Sequence, residues 1–172
     1  MKKLKRIIIT TAVLMLLVTA RGFAQAPAFA GAWKLKEKTL INGKNFDNAL
    51  APFVTYTFMG DSVKVKKAGD PANVSIIYQT TERIYLPGKK QISANEQNVT
   101  VQRYFSWLDG KKSWELVSAG SQPGRADAPD YQFRDVWTYD AATDVLRVDM
   151  TFKSNSEPDN FCTFKAVYEK VK

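Results

Sequence analysis

Histidine is absent from the 172 residues, and cysteine occurs once. Without His the chain lacks the commonest general base at neutral pH and a principal metal ligand. The lone Cys162 has no second thiol for an intramolecular disulfide and no imidazole to lower its pKa, so it reads as a small buried hydrophobe. A Gly-rich phosphate loop, a Gly-x-Ser-x-Gly elbow and a paired-Cys metal signature are also missing. These absences remove the best-marked catalytic classes, and no enzyme activity, cofactor or metal site is expected. Long hydrophobic runs are missing too: the most apolar stretch, Ile7 to Val18, is shorter than the roughly 20 residues of a spanning helix.

That stretch has a different meaning. It follows a basic head containing Lys2, Lys3, Lys5 and Arg6 and leads to Gly22, Phe23 and Ala24, the pattern of a cleavable secretory signal. Cleavage is expected after Ala24, because a cut after Ala26 would set the Pro27 ring directly behind the scissile bond. No cysteine lies near the cut, so a bacterial lipoprotein anchor is excluded. The expected organisation is a signal over 1–24 and one domain over 25–172, exported to the periplasm or beyond, with no transmembrane segment after cleavage. The formal charge of +8 shrinks accordingly. Without Lys2, Lys3, Lys5, Arg6 and Arg21, the 25 basic residues become 20 against 17 acidic ones, or +3, which argues against a nucleic-acid partner.

In the remaining chain the dominant period is two, and its interruptions are turn-formers. Gly31 to Ile41 alternates Trp33 and Leu35 with Lys34, Lys36 and Lys38, placing the lysines on a wet face. Phe53 to Met59 and Val63 to Lys67 flank Gly60 and Asp61. Val74 to Leu86 reads as one long strand or two short ones, and Pro87 to Lys90 as loop. Val99 to Leu108 and Ser113 to Ser118 form a hairpin around Asp109 and Gly110. Ala119 to Asp130, with two Pro and two Gly, reads as a long surface loop. Tyr131 to Tyr139 and Val145 to Lys153 make another hairpin, and Phe161 to Val171 closes the chain. The expected fold is all-β: an antiparallel up-and-down barrel of about eight to ten strands, because closure removes the sheet edges that an open form would expose.

The segment Gly31, Ala32, Trp33, Lys34, Leu35 resembles the Gly-x-Trp opening of lipocalins and related calycin barrels. The ending from Phe164 to Val171 resembles the closing strand of small secreted lipocalin-like proteins of bacteria. This resemblance implies an eight-stranded barrel holding one small apolar ligand. It implies that Trp33 plugs one end beside a basic residue late in the chain, which the sequence alone does not place.

Two charges interrupt otherwise apolar faces. Arg103 stands between Val101 and Phe105, with Trp107 next, and Asp135 stands between Phe133 and Trp137. A charge on an apolar face must be paired or used. On one reading Arg103 anchors a ligand carboxylate while Phe105, Trp107, Asp135 and Trp137 line the cavity. On the other, Arg103 and Asp135 form a structural salt bridge, or the opposite parity with Tyr104, Leu108 and Val136 faces inward. Asp127 and Asp130, like Asp140 and Asp144, fall in loops where Asp caps turns. Trp33, Trp114, Tyr56, Phe58, Phe133 and Phe152 read as core. Together these features point to a barrel that sequesters a small hydrophobic or amphipathic ligand. The alternative is a barrel filled by its own side chains that presents the 119–130 loop to a protein partner in the cell envelope.

Overall fold

The computed structural model describes residues 28–72, 79–94, 98–123 and 128–172. The expected signal lies outside these residues, as does Asp127. Ten strands follow in chain order: β1 (Gly31–Gly43), β2 (Phe53–Met59), β3 (Ser62–Ala68), β4 (Thr81–Tyr85), β5 (Lys90–Ala94), β6 (Thr100–Leu108), β7 (Ser113–Ser121), β8 (Tyr131–Asp140), β9 (Val145–Ser154) and β10 (Phe161–Lys170). They form one antiparallel sheet in the order β4-β3-β2-β1-β10-β9-β8-β7-β6-β5. Pairing of β1 with β10 brings the first and last strands together, and the sheet curls into a nearly closed up-and-down barrel. Its seam lies between β4 and β5. Among the described residues the count is ten, within the expected eight to ten and above the eight that the calycin resemblance implies.

Three local expectations need correction. Lys90–Ala94 is a strand, pairing with β6 from Lys90↔Tyr104 to Ala94↔Thr100. The surface loop begins later than Ala119, since β7 continues through Gly120 and a buried Ser121, and the Tyr131 ring covers Gly120. Lys38 is not on the wet face with Lys34 and Lys36. A bulge between Leu35 and Glu37 shifts the register, so Lys38 lies opposite Ala166 on the inner face. Its ammonium lies 5.1 Å from the Phe164 ring centre and donates to the carbonyls of Phe46 and Asp47 at 3.2 and 3.4 Å. It thereby ties the β1–β2 connection to the barrel rim.

The interior is filled at one end only. Near the β6–β7 and β8–β9 turns, Trp33, Tyr56, Phe105, Trp114, Trp137, Leu146 and Tyr168 are each 1% exposed or less. Trp114 stacks on Trp137 with centroids 5.3 Å apart and planes 11° apart, and Tyr56 meets both rings edge-on. Trp33 is fully buried at this end. Its Nε1 donates to the Phe29 carbonyl at 3.0 Å, and the Lys170 ammonium sits 5.3 Å from its ring centre. Lys170 is thus a basic residue late in the chain that lies beside Trp33. The aromatic packing tolerates a polar cost: Tyr56 Oη, Trp114 Nε1 and Trp137 Nε1 are buried without hydrogen-bond partners among the described residues. At the opposite end the barrel holds a cavity.

Candidate functional site

The cavity occupies about 450 Å³ in the half of the barrel under the β1–β2, β7–β8 and β9–β10 connections. That volume is within the usual range for small-molecule sites. Its apolar wall comes from period-two alternation on four adjacent strands: Leu116 on β7, Phe133 on β8, Met150 and Phe152 on β9 and Cys162 on β10. Phe46, held over the rim by Lys38, packs edge-on against Phe152 at 5.8 Å. Phe152 in turn packs on Phe133 at 4.7 Å. Burial raises the pKa of the Cys162 thiol, so it stays protonated and acts as part of the wall.

The facing wall is polar. Val65 and Lys67 on β3, Thr81, Arg83 and Tyr85 on β4, and Arg103 on β6 line it. Asp135 projects from β8 between its cross-strand neighbours Leu116 and Met150. It is 7% exposed, and its Oδ2 lies 3.3 Å from the Lys67 ammonium. Arg103 donates from Nη1 to Ser93 Oγ at 2.8 Å. The Arg103–Asp135 salt bridge weighed from the sequence is therefore replaced by two separate arrangements, with Lys67 neutralising Asp135 and Arg103 resting on a hydroxyl. Burial first, and then the charge of Arg83, lower the pKa of the Arg103 guanidinium.

All five residues singled out from the sequence lie on the inward-facing parity. Tyr104, on the opposite parity, is 43% exposed. The five do not all meet at one place. Arg103 and Asp135 line the cavity, whereas Phe105, Trp107 and Trp137 belong to the packed end beyond it. Phe105 stacks on Tyr85 at 5.8 Å, and Trp107 stacks on Phe58 at 6.1 Å. Sequence reasoning missed Lys67 and Arg83. Lys67 shares the parity of Val63 and Val65, and Arg83 that of Tyr85, so the alternation already carried the signal.

The turn carboxylates make local bonds. Asp140 accepts from the Ala142 amide at 3.1 Å and pairs with Arg147, while Asp144 accepts from Tyr139 Oη at 3.0 Å. Asp130 accepts from the Gln122 amide at 2.7 Å and so clips the β7–β8 connection.

A scan of protein-family models and a search of curated proteins each find no match for this sequence. Solved structures do match. The fatty-acid-binding protein of Schistosoma mansoni in complex with arachidonic acid is 15% identical, with a TM-score of 0.53 over 87% of this chain and 100% of that one. Fatty-acid-binding protein 1 of Echinococcus granulosus is also 15% identical, with a TM-score of 0.57 over 84% of this chain and 98% of that one. The apo lipid binding protein 8 of Caenorhabditis elegans is 11% identical, with a TM-score of 0.53 over 87% and 99%. What these likenesses establish for the present chain is its fold alone, a ten-stranded antiparallel up-and-down barrel like theirs.

Proposed function

We propose that this protein binds a small hydrophobic or amphipathic molecule in the open half of its barrel, as a carrier or sequestering protein and not an enzyme. One observation carries the reading: a cavity of about 450 Å³ bounded on one side by Leu116, Phe133, Met150 and Phe152 and on the other by a few polar groups. A tail that hides about 250 Å² of apolar surface there gains roughly 6 kcal/mol before the costs of association. The structural neighbours bear the names of lipid and fatty-acid binders, and one is complexed with arachidonic acid. The alternative of a barrel filled by its own side chains fits one end of the interior but not the other.

Export is part of the same proposal. Its support is the basic head, the short apolar run and the small residues before Gln25.

Native mass spectrometry of the protein purified from its own host, followed by denaturation and extraction, tests both points. The expected result is a polypeptide mass beginning at Gln25 and a stoichiometric apolar or amphipathic molecule released on unfolding. A polypeptide that retains Met1 to Ala24 would overturn export. Failure of apolar probes to bind the folded protein, together with a ligand-free native mass, would overturn the carrier reading.

A further inference from the structure

The seam between β4 and β5 is lined by more than backbone. A cleft of about 270 Å³ runs along it, bounded by Glu82, Arg83, Ile84, Tyr85, Gln91 and Ile92 with Ser93 and Arg103. Arg83, Tyr85 and Arg103 also line the interior cavity. The same two guanidiniums therefore face the cavity on one side and the outside of the barrel on the other. Arg83 is exposed and Arg103 half-buried.

The charges here do not balance. Of the three cations on the cavity wall, Lys67 is neutralised by Asp135. Among the described residues neither Arg83 nor Arg103 meets a carboxylate at ion-pair distance. The one acid among the described residues that line the cleft, Glu82, is engaged by Lys64 at 3.4 Å. Arg83 and Arg103 lie close enough for the charge of one to disfavour that of the other. Two like charges gathered on a partly desolvated wall are stabilised by an anion between them, and planar guanidiniums present paired donors that match oxyanions. Around them stand Ser93 Oγ, which already orients Arg103, and Gln91, whose Nε2 donates to the Ile84 carbonyl at 2.9 Å. The inward face of β5 is thus polar throughout, a wall suited to a headgroup and not to a tail.

We propose that Arg83 and Arg103 form an oxyanion-binding site in the β4–β5 cleft, which holds the charged head of an amphiphile whose tail lies in the barrel cavity. The placement of the tail rests on the carrier reading above; the oxyanion site does not. An amphiphile so bound enters head outward at the seam, with its head in reach of solvent and its tail against Met150 and Phe152.

Two probe sets on the mature protein and on the Arg83→Gln/Arg103→Gln variant test this. The first compares dodecanoic acid with dodecanol, which share a tail and differ in the head, each kept below its aggregation concentration. The native protein is expected to prefer the acid by about tenfold, the worth of a charge-assisted contact. In the variant that preference falls to about twofold or less while dodecanol affinity is retained, which also reports that the variant is folded. The second set adds inorganic phosphate without amphiphile and reads the shift in melting temperature. If dodecanoic acid and dodecanol bind alike but phosphate stabilises the native protein and not the variant, the site takes a free oxyanion. An acid preference undiminished in the variant, or no acid preference and no phosphate effect on the native protein, overturns the site. Failure of both amphiphiles to bind would sink the carrier reading alone, because the phosphate measurement still decides the cleft.

Discussion

Replacing Lys67 with Met isolates the electrostatics of the cavity wall. The substitution keeps an unbranched apolar stem in place and removes the ammonium 3.3 Å from Asp135 Oδ2. Among the described residues the carboxylate then has no ion-pair partner, held between Leu116 and Met150 with its residue 7% exposed. Breaking a fully buried ion pair costs about 3–5 kcal/mol. Here the side chains retain 24% and 10% of their exposure and border a cavity, so solvent screening lowers the expected cost to about 2 kcal/mol. Urea unfolding followed by fluorescence of the four Trp residues reads this directly. With a slope of about 2 kcal/mol per molar, the midpoint falls by about 1 M. Asp135→Leu alone costs less, about 1 kcal/mol, because Lys67, with 24% of its side chain exposed, keeps its ammonium in reach of water. The double variant returns to within about 1 kcal/mol of the native protein, giving a coupling near 2 kcal/mol. A Lys67→Met cost below about 0.5 kcal/mol, or a double variant as costly as the sum of the singles, would refute this account of the wall.

Other perturbations have equally definite outcomes. Tyr56→Phe removes a buried hydroxyl that has no partner among the described residues, so thermal unfolding should show no loss of stability and a gain of up to about 1 kcal/mol; a loss of 1 kcal/mol or more would mean the hydroxyl is satisfied. Burial raises the pKa of both Tyr56 and Cys162 in the folded state. The unfolded chain therefore releases these protons first, and stability that is complete below about pH 8 declines as the pH rises through about 9 to 11. Cys162→Ala should flatten the first part of that decline in urea midpoints measured against pH; an unchanged slope would remove the thiol from the cause. Gly43 has φ of +84°, and a Cβ there would collide with the Phe161 carbonyl oxygen, whereas Gly60, with φ of +58°, has open space around it. Gly43→Ala should therefore cost about 2 kcal/mol or more and Gly60→Ala about 1 kcal/mol, and equal costs would contradict the close approach of β1 to β10.

Much of the barrel is readable from alternation alone because most strands have one apolar and one wet face. Phe53–Met59 coincides with β2, and Leu146, Val148, Met150 and Phe152 mark the inner face of β9. Where the inner face is not apolar the signal fails. Strand β5 turns Gln91 and Ser93 inward and Ile92 outward, the reverse of the usual order, because it borders the cleft and not the core. Lys38 defeats a strict two-residue period for another reason, since one extra residue in a bulge exchanges the faces of β1 beyond it. Gly120 and Ser121 look like loop by composition but form strand under the Tyr131 ring. At the site, Arg103 and Asp135 stood out as charges within apolar alternation. Their partners did not, because Asp135 meets Lys67 across 68 residues of sequence. Nor does parity distinguish depth along the barrel axis, which is why Phe105, Trp107 and Trp137 share a face with Arg103 yet lie in the packed end.

The seam also decides how this barrel can deform. A tube whose wall is continuously hydrogen-bonded resists any change of girth, because widening it stretches every ladder at once. A tube slit along its length has no such hoop constraint. Here the slit runs between two strands of five residues each, crossed by the Gln91 Nε2 bond to the Ile84 carbonyl. Spreading it leaves the nine antiparallel ladders intact, so the girth of the cavity half can follow the bulk of its contents while the aromatic end, pinned by Trp33 and Lys170, stays fixed.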